Sequence, residues 1–546
     1  MLLHSLGVLL LAATRLLPSN ATAPACNLSG LWNFAPIDAS SGWSGSPFTY
    51  NITHHANGTV SFPGFTTLAS VDLTWRPSDA FSRAVGALRG RVLTLTLQDV
   101  GHKPGATANV SATVHASCDF IDMEGARYDC SVPTPAALTV PLVGGMFSRG
   151  GSPIEMAPSQ WMRTVNAWLL RAATICSTDG RNVSLLTPGF PLGYVGQWMR
   201  DSFYGISSGI DLLPNITATV ASVEWMYEHA RPVDGAMPQS VDPAGQNDSF
   251  YEWGQRCNQT VGAPLWRSCI DLDSGPFAVK MADAIVSALP EHDGKAFFLK
   301  WHAALANGLN VTTLDPDGSG LPWINSSRQL IGYGFQDGEY MSGDVLYSSI
   351  LYWNATGILA DLYAQAGPSF ASQVTALRAQ AERVKHQISA ELWSDKLGAF
   401  VAATQLESDR ISVWGNAFAG VSGLANATQS AAIFAFFRDR EADIFFEGQV
   451  RQTPAPHFWD STHTGHNTYQ DGAYWGTPLD HVLTFIGQTD RAMACRLLHD
   501  SIASYRSHGI NEWIGPFYPA STSGARGYVA SAAGSYGASK ALHCHD

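Results

Sequence analysis

The apolar pattern changes character near residue 158, and that change constrains the fold more than any other feature of the chain. Before it, short β-rich runs such as 92–97 (VLTLTL) and 109–114 (NVSATV) alternate with Gly, Pro and Asn turns, and no helical period outlasts two turns. After it, apolar residues recur at spacings of three and four. In 372–393 they fall at Val374, Leu377, Ala381, Val384, Ile388 and Leu392, a stripe along one helical face. The stretches 344–366 and 490–505 behave alike, and about twelve helical segments fit between Gln160 and the C-terminus, joined by long loops rich in Gly, Trp and Asp. No fixed sequence period links them, which argues against a solenoid. The pattern predicts a mainly α protein in which paired helices close into a toroid over 158–546. A small β-sandwich or β-barrel module over 24–135 precedes it, with a linker at 136–157.

The first 23 residues read as a secretory signal. An apolar run at 6–13 is followed by the small pair Ala21 and Ala23, which suits cleavage after Ala23. The n-region carries only His4 and the amino terminus as cationic groups. Thirteen Asn-X-Ser/Thr sequons support export: Asn20, Asn27, Asn51, Asn57, Asn109, Asn182, Asn215, Asn247, Asn258, Asn310, Asn325, Asn354 and Asn426. Eight cysteines are an even number, as disulfides in an exported chain require. The close spacings favour Cys118–Cys130 and Cys257–Cys269 as local pairs, and Cys495–Cys544 would tie down the C-terminal segment.

Charge removes several functional classes. Acidic residues outnumber basic ones 45 to 32, with no Lys/Arg cluster of the kind a phosphate backbone demands, so no nucleic-acid partner is expected. No internal apolar run approaches the roughly 20 residues of a membrane span. There is no Walker loop or HExxH. Asp315-Pro-Asp-Gly-Ser-Gly320 opens like a calcium loop, but the twelfth position is Ser326 rather than Glu, which favours a tight turn. His457, Asp460, His463 and His466 are metal-capable residue types without a fixed ligand spacing. No metal or organic cofactor is expected.

Four segments set carboxylates among aromatics and glycines. In Gln197-Trp-Met-Arg-Asp-Ser-Phe-Tyr204, Trp198 offers a face for sugar stacking. Arg200 and Asp201 can grip neighbouring hydroxyls, or simply pair with each other at a helix start. In Tyr333-Gly-Phe-Gln-Asp-Gly-Glu339, Asp337 precedes a helix expected from about Ser342, where capping is the competing role. In Tyr469-Gln-Asp-Gly-Ala-Tyr-Trp-Gly-Thr-Pro478, Asp471 and Trp475 would line a pocket floor, or Trp475 would be core. In Gly509-Ile-Asn-Glu-Trp-Ile-Gly-Pro516, Glu512 beside Trp513 would be partly desolvated, which raises a carboxyl pKa and suits proton transfer. Glycoside cleavage needs such a set, one carboxylic acid for the leaving oxygen and a second carboxylate across the sugar.

The order Trp198-Met-Arg-Asp201, Gly334-Phe-Gln-Asp337, Asp471-Gly-Ala-Tyr-Trp475, Asn511-Glu-Trp513 resembles the six-hairpin, (α/α)6-barrel glycoside hydrolases, among them trehalases, processing α-glucosidases and α-L-rhamnosidases. The likeness runs from about Pro158 to His545. It implies Asp337 as general acid, Glu512 as general base, and Arg200 with Asp201 as the grip on the terminal sugar. Trp198, Glu339, Asp471, Trp475 and Trp513 complete the expected sugar-binding set. Where trehalases carry Ser-Ser-Arg-Trp after the acid, this chain has Gly338-Glu-Tyr-Met-Ser342, which turns the expectation away from trehalose and leaves Glu339 and Asp201 as alternative acids. The expectation is a secreted, monomeric, inverting glycosidase that takes an oligosaccharide or glycoside with a terminal α-linked sugar. A lectin-like binder without hydrolysis, a polysaccharide lyase and a sugar phosphorylase are its rivals. The last two are disfavoured by the scarcity of Arg and Lys around the four segments.

Overall fold

The computed structural model describes eight strands between 30 and 149 and, from 157 to 544, every residue except 182, 190–195, 214, 233, 246–271, 313, 316–317, 325–334, 336–337, 460–461, 463, 522 and 526. The expected signal at 1–23, Asp337, and the pairs Cys118–Cys130 and Cys257–Cys269 lie outside the described residues. The chain divides into two compact units, one built from the strands and one running from Ile154 to Asp546 with short N-terminal additions.

In the first unit the strands Gly30–Pro36, Phe48–His54, Thr59–Pro63, Arg83–Arg89, Val92–Gln98, Thr107–Val114, Phe120–Glu124 and Gly145–Arg149 pair antiparallel, each with its chain neighbour. The last of them pairs Ile121 with Phe147, which carries the strand order into the stretch expected as linker.

The second unit contains thirteen helices among the described residues: α1 Pro158–Ala172, α2 Met199–Gly209, α3 Ile216–Glu228, α4 Ser274–Ala288, α5 Glu291–Asn310, α6 Leu346–Ala366, α7 Ala371–Leu392, α8 Val413–Val421, α9 Ala427–Asp439, α10 Glu441–Ile444, α11 Leu479–Gly487, α12 Arg491–His508 and α13 Val529–Leu542. Their contacts run in a cycle: α2 packs on α4, α4 on α6, α6 on α8, α8 on α11, α11 on α13, and α13 on α2 again. Most of the others back this cycle from outside, α5 against α4, α7 against α6, α12 against α11, and α1 against α13.

Sequence explains the division of labour. Helix α6 is apolar nearly all round and buries residues on every face, from Leu346 and Tyr347 to Leu362 and Tyr363. Helix α7 is polar except for one stripe and buries Ala381, Val384, Ile388 and Leu392, as the spacing predicts. Side-chain caps fix several starts: Asn426 and Gln429 form a capping box on α9, and Asp490 accepts from the Met493 N–H of α12 at 2.9 Å. Helix α6 starts four residues later than expected, at Leu346 rather than Ser342. Gly343–Asp344 first pairs as a strand with Trp323–Ile324, and the residue preceding the helix is Val345.

Cys495 on α12 is bonded to Cys544 just beyond α13, the pairing expected to tie down the C-terminal segment. Among the described sequons, Asn215, Asn310 and Asn426 are exposed. Asn354 is an exception: it lies inside α6, its Oδ1 accepts from Lys280 Nζ at 2.9 Å, and Thr356 of the same sequon is fully buried with its hydroxyl on the Tyr352 carbonyl. No helix among the described residues is long and apolar enough to cross a membrane.

Candidate active site

Four helices of the cycle, α2, α4, α6 and α13, are joined at their N-terminal ends. Strand Gln197–Trp198 pairs with Ser240–Val241 and delivers α2, whose second and third residues are Arg200 and Asp201. Both are buried, and each has a partner at the start of another helix. Arg200 Nε lies 3.1 Å from Oδ2 of Asp273, the residue preceding α4, and its guanidinium sits 5.6 Å from the Phe335 ring centre. Asp201 Oδ1 accepts from the hydroxyl of Tyr528, the residue preceding α13, at 2.5 Å. One turn further along α2, the Tyr204 hydroxyl meets that of Tyr347, in the first turn of α6, at 2.9 Å. The first turns of α2 therefore reach three neighbouring helices at their starts.

Phe335 stands two residues before Asp337 and is held tightly. Its φ of 63° is left-handed, a costly conformation for a bulky residue. Its ring is buried against Tyr204, Trp414 and Trp475, and its carbonyl accepts from the Gln452 side chain. On the other side of Asp337, the Gly338 N–H donates to the Gln470 side-chain oxygen. Two glutamines from separate loops thus hold Phe335 and Gly338, the described residues on either side of the expected acid in sequence. Glu339 is fully buried; Thr462 bridges it, its hydroxyl donating to the Gly338 carbonyl at 3.0 Å and to Glu339 Oε1 at 3.4 Å.

Asp471 and Trp475 take up buried positions. Asp471 Oδ1 accepts the Trp459 N–H at 3.0 Å, and Oδ2 meets His466 Nδ1 at 2.7 Å. Trp475 is core: its ring packs on Trp414, Phe335 and Tyr469, and its Nε1–H donates to the Tyr469 carbonyl at 2.9 Å. Of the metal-capable residues, His466 is engaged with Asp471, while Asp460 and His463 fall outside the described residues. Among the described residues, no group of three or more His, Cys, Asp or Glu side chains is placed to hold a metal.

Trp475 also brings in the fourth segment. Strand Tyr474–Trp475 pairs with Trp513–Ile514, placing Trp513 opposite Trp475. The preceding residue, Glu512, is 5% exposed. Its N–H donates to the Ala525 carbonyl at 2.7 Å, its Oε2 accepts the Ala525 N–H at 3.2 Å, and its carbonyl accepts from Ser531 Oγ in the first turn of α13. Asp201 and Glu512 are therefore both tied to the start of the same helix, through Tyr528 and Ser531. Trp198 and Trp513 are half-buried beside these groups.

Asp273 and Tyr528 escaped the sequence reading. Each is the residue before a helix and reads locally as a terminus; only the packing of α4 and α13 against α2 turns it toward Arg200 and Asp201.

No family model matches the chain, and no curated protein matches it in sequence. Its fold has solved relatives. An uncharacterized conserved protein from Thermus thermophilus superposes with a TM-score of 0.51 at 14% identity, covering 69% of this chain and 99% of the other. A GH63 mannosylglycerate hydrolase from the same organism, in complex with glucose, gives a TM-score of 0.51 at 15% identity over 68% of this chain and 98% of its own. At such identities the likeness shows a shared, mostly helical fold.

Proposed function

We propose that the chain is a secreted glycoside hydrolase that removes a terminal α-linked sugar with inversion, on an (α/α)6 toroid preceded by a β accessory module. The carrying observation is the convergence of the acidic loops on one set of helix starts: Arg200 on Asp273, Asp201 on Tyr528, Glu512 on α13, and Phe335 of the Asp337 turn against Arg200. The cycle of helix contacts supports the toroid, and the hydrolase among the structural relatives, found with bound glucose, fits the sugar substrate.

In this reading Asp337 donates its proton to the glycosidic oxygen as the bond to C1 breaks. The Glu512 carboxylate takes a proton from water, and that water's oxygen attacks C1 from the opposite face. The two carboxyls then stand roughly 6.5–9.5 Å apart, leaving room for the water. Arg200 and Asp201 hold hydroxyls of the terminal ring, and half-buried Trp198 and Trp513 flank it. Asp471 acts behind the site by ordering the 459–471 loop, and Trp475 is the packed floor. Burial between Gly338 and Thr462 suits Glu339 to supporting the acid turn rather than replacing its acid. The enzyme works as a monomer without metal or cofactor.

Asp337→Asn and Glu512→Gln, assayed on a panel of aryl α-glycosides, should each lower kcat by about 10²–10⁴-fold, the usual contribution of a positioned acid or base. Wild-type turnover by both variants rejects the assignment. Proton NMR of the first anomer released should show the inverted configuration; a retained anomer rejects the two-carboxylate water mechanism.

A further inference from the structure

Beyond the cleavage subsite, the base-bearing hairpin carries an aromatic ring that the fold does not use. Glu512 pairs with Ala525, the Trp513 carbonyl accepts from Gly524, and Ile514 bridges Ser523, so 512–525 is a narrow excursion with its tip at 515–521. Phe517 lies on that tip and is 79% exposed. The only other exposed large hydrophobic residue among the described residues is Leu299, at 40%, on the outer helix α5.

This exposure is built rather than incidental. Phe517 has a φ of 67°, where a bulky side chain is strained, and such residues persist only when their surroundings hold them. The holding is visible in the next residue. Tyr518 packs with Ile514, Tyr474 and Phe446, and its hydroxyl donates to the His508 carbonyl at 3.4 Å. The Tyr518 N–H returns to the Gly515 carbonyl, and the Ala520 N–H to that of Phe517. The backbone is pinned inward at Tyr518, which leaves the Phe517 ring presented outward at little further entropic cost.

We propose that Phe517 is a stacking platform for a sugar of the leaving group, outside the cleavage subsite, and so a determinant of preference for longer glycosides. This rests on the hydrolase reading. Five residues from Glu512 span at most about 18 Å, a reach of a few sugar rings. The groups that would grip the terminal sugar, Arg200 and Asp201, are buried, so a ring this exposed meets only the part of a ligand that projects from the pocket. A protein partner fits less well, because a stable interface needs on the order of 1,000 Å² and a single exposed ring does not supply it. One apolar ring face does match one face of a pyranose.

The test compares wild type, Phe517→Ala and Phe517→Tyr on a methyl α-glycoside and on the di- and trisaccharides of the same sugar, with one glucose and one mannose series. Hydrolysis is followed directly, and binding is measured by calorimetry in the Glu512→Gln background. For Phe517→Ala the expected loss of trisaccharide affinity is about 10-fold, growing with chain length, appearing in KM rather than kcat, and restored by Phe517→Tyr. Hydrolysis by wild type with no length-dependent loss in Phe517→Ala overturns the platform and leaves the hydrolase reading standing. Phe517-dependent binding without any hydrolysis overturns the hydrolase reading and with it the leaving-group role of Phe517. Absence of both binding and hydrolysis in wild type overturns both.

Discussion

Asp344 shows how a single buried carboxyl makes stability depend on pH. Burial comes first in pushing its pKa from the ordinary 3.8 up to about 6, repulsion from Asp315 and Glu391 adds to it, and the Ser319 hydroxyl, 3.0 Å away, works against it. Between about pH 4 and pH 6 the folded protein holds this proton while the unfolded chain releases it. The Asp344 contribution to stability therefore falls as pH rises through that window and stays level above it. In Asp344→Asn the Tm difference from wild type should move upward from pH 4 to pH 6, measured by thermal melts in matched buffers; a flat or falling difference contradicts the assignment. Residues of this kind were poorly legible beforehand. The Arg200-Asp201 pair stood out as a motif, yet its partners Asp273 and Tyr528 did not, since each depends on a helix arriving from a distant part of the chain. Phe335 carried no mark of its left-handed backbone, because that strain is imposed by Gln452 and the surrounding rings rather than by local preference.

At the scale of elements, periodicity was the legible part. The α7 stripe emerged where spacing predicted, since an outer helix needs only one apolar face. The start of α6 was misplaced by four residues because strand pairing with Trp323–Ile324 captures Gly343 and Asp344 before the helix can begin. Close approach of helices was hidden as well. A Cβ on Gly534 of α13 would lie 2.3 Å from the Thr477 carbonyl oxygen and 2.5 Å from that of Gly476. Those atoms are backbone and cannot swing aside. Helix propensity alone predicts that Gly534→Ala stabilises by about 1 kcal/mol. The clash should win, with a net loss of about 1–3 kcal/mol by urea denaturation and reduced activity, since α13 also carries Ser531 against Glu512. A stabilised variant would show that α13 does not approach the 476–477 backbone this closely.

For the helical unit as a whole, the Cys495–Cys544 bridge closes a loop across 49 residues and fastens the segment beyond α13 to α12. A loop of that length is worth about 4 kcal/mol in the chain-entropy account, with measured values running lower. Cys544→Ser should cost about 2–4 kcal/mol in guanidinium unfolding. An unchanged midpoint would mean that α13 is held by packing alone.

The bond between Asp201 and Tyr528 joins residues 327 positions apart, from the first helix of the cycle to the last. A nascent chain still missing α13 would leave Asp201 without Tyr528 and Glu512 without Ser531, so neither acidic segment settles until the final helix docks.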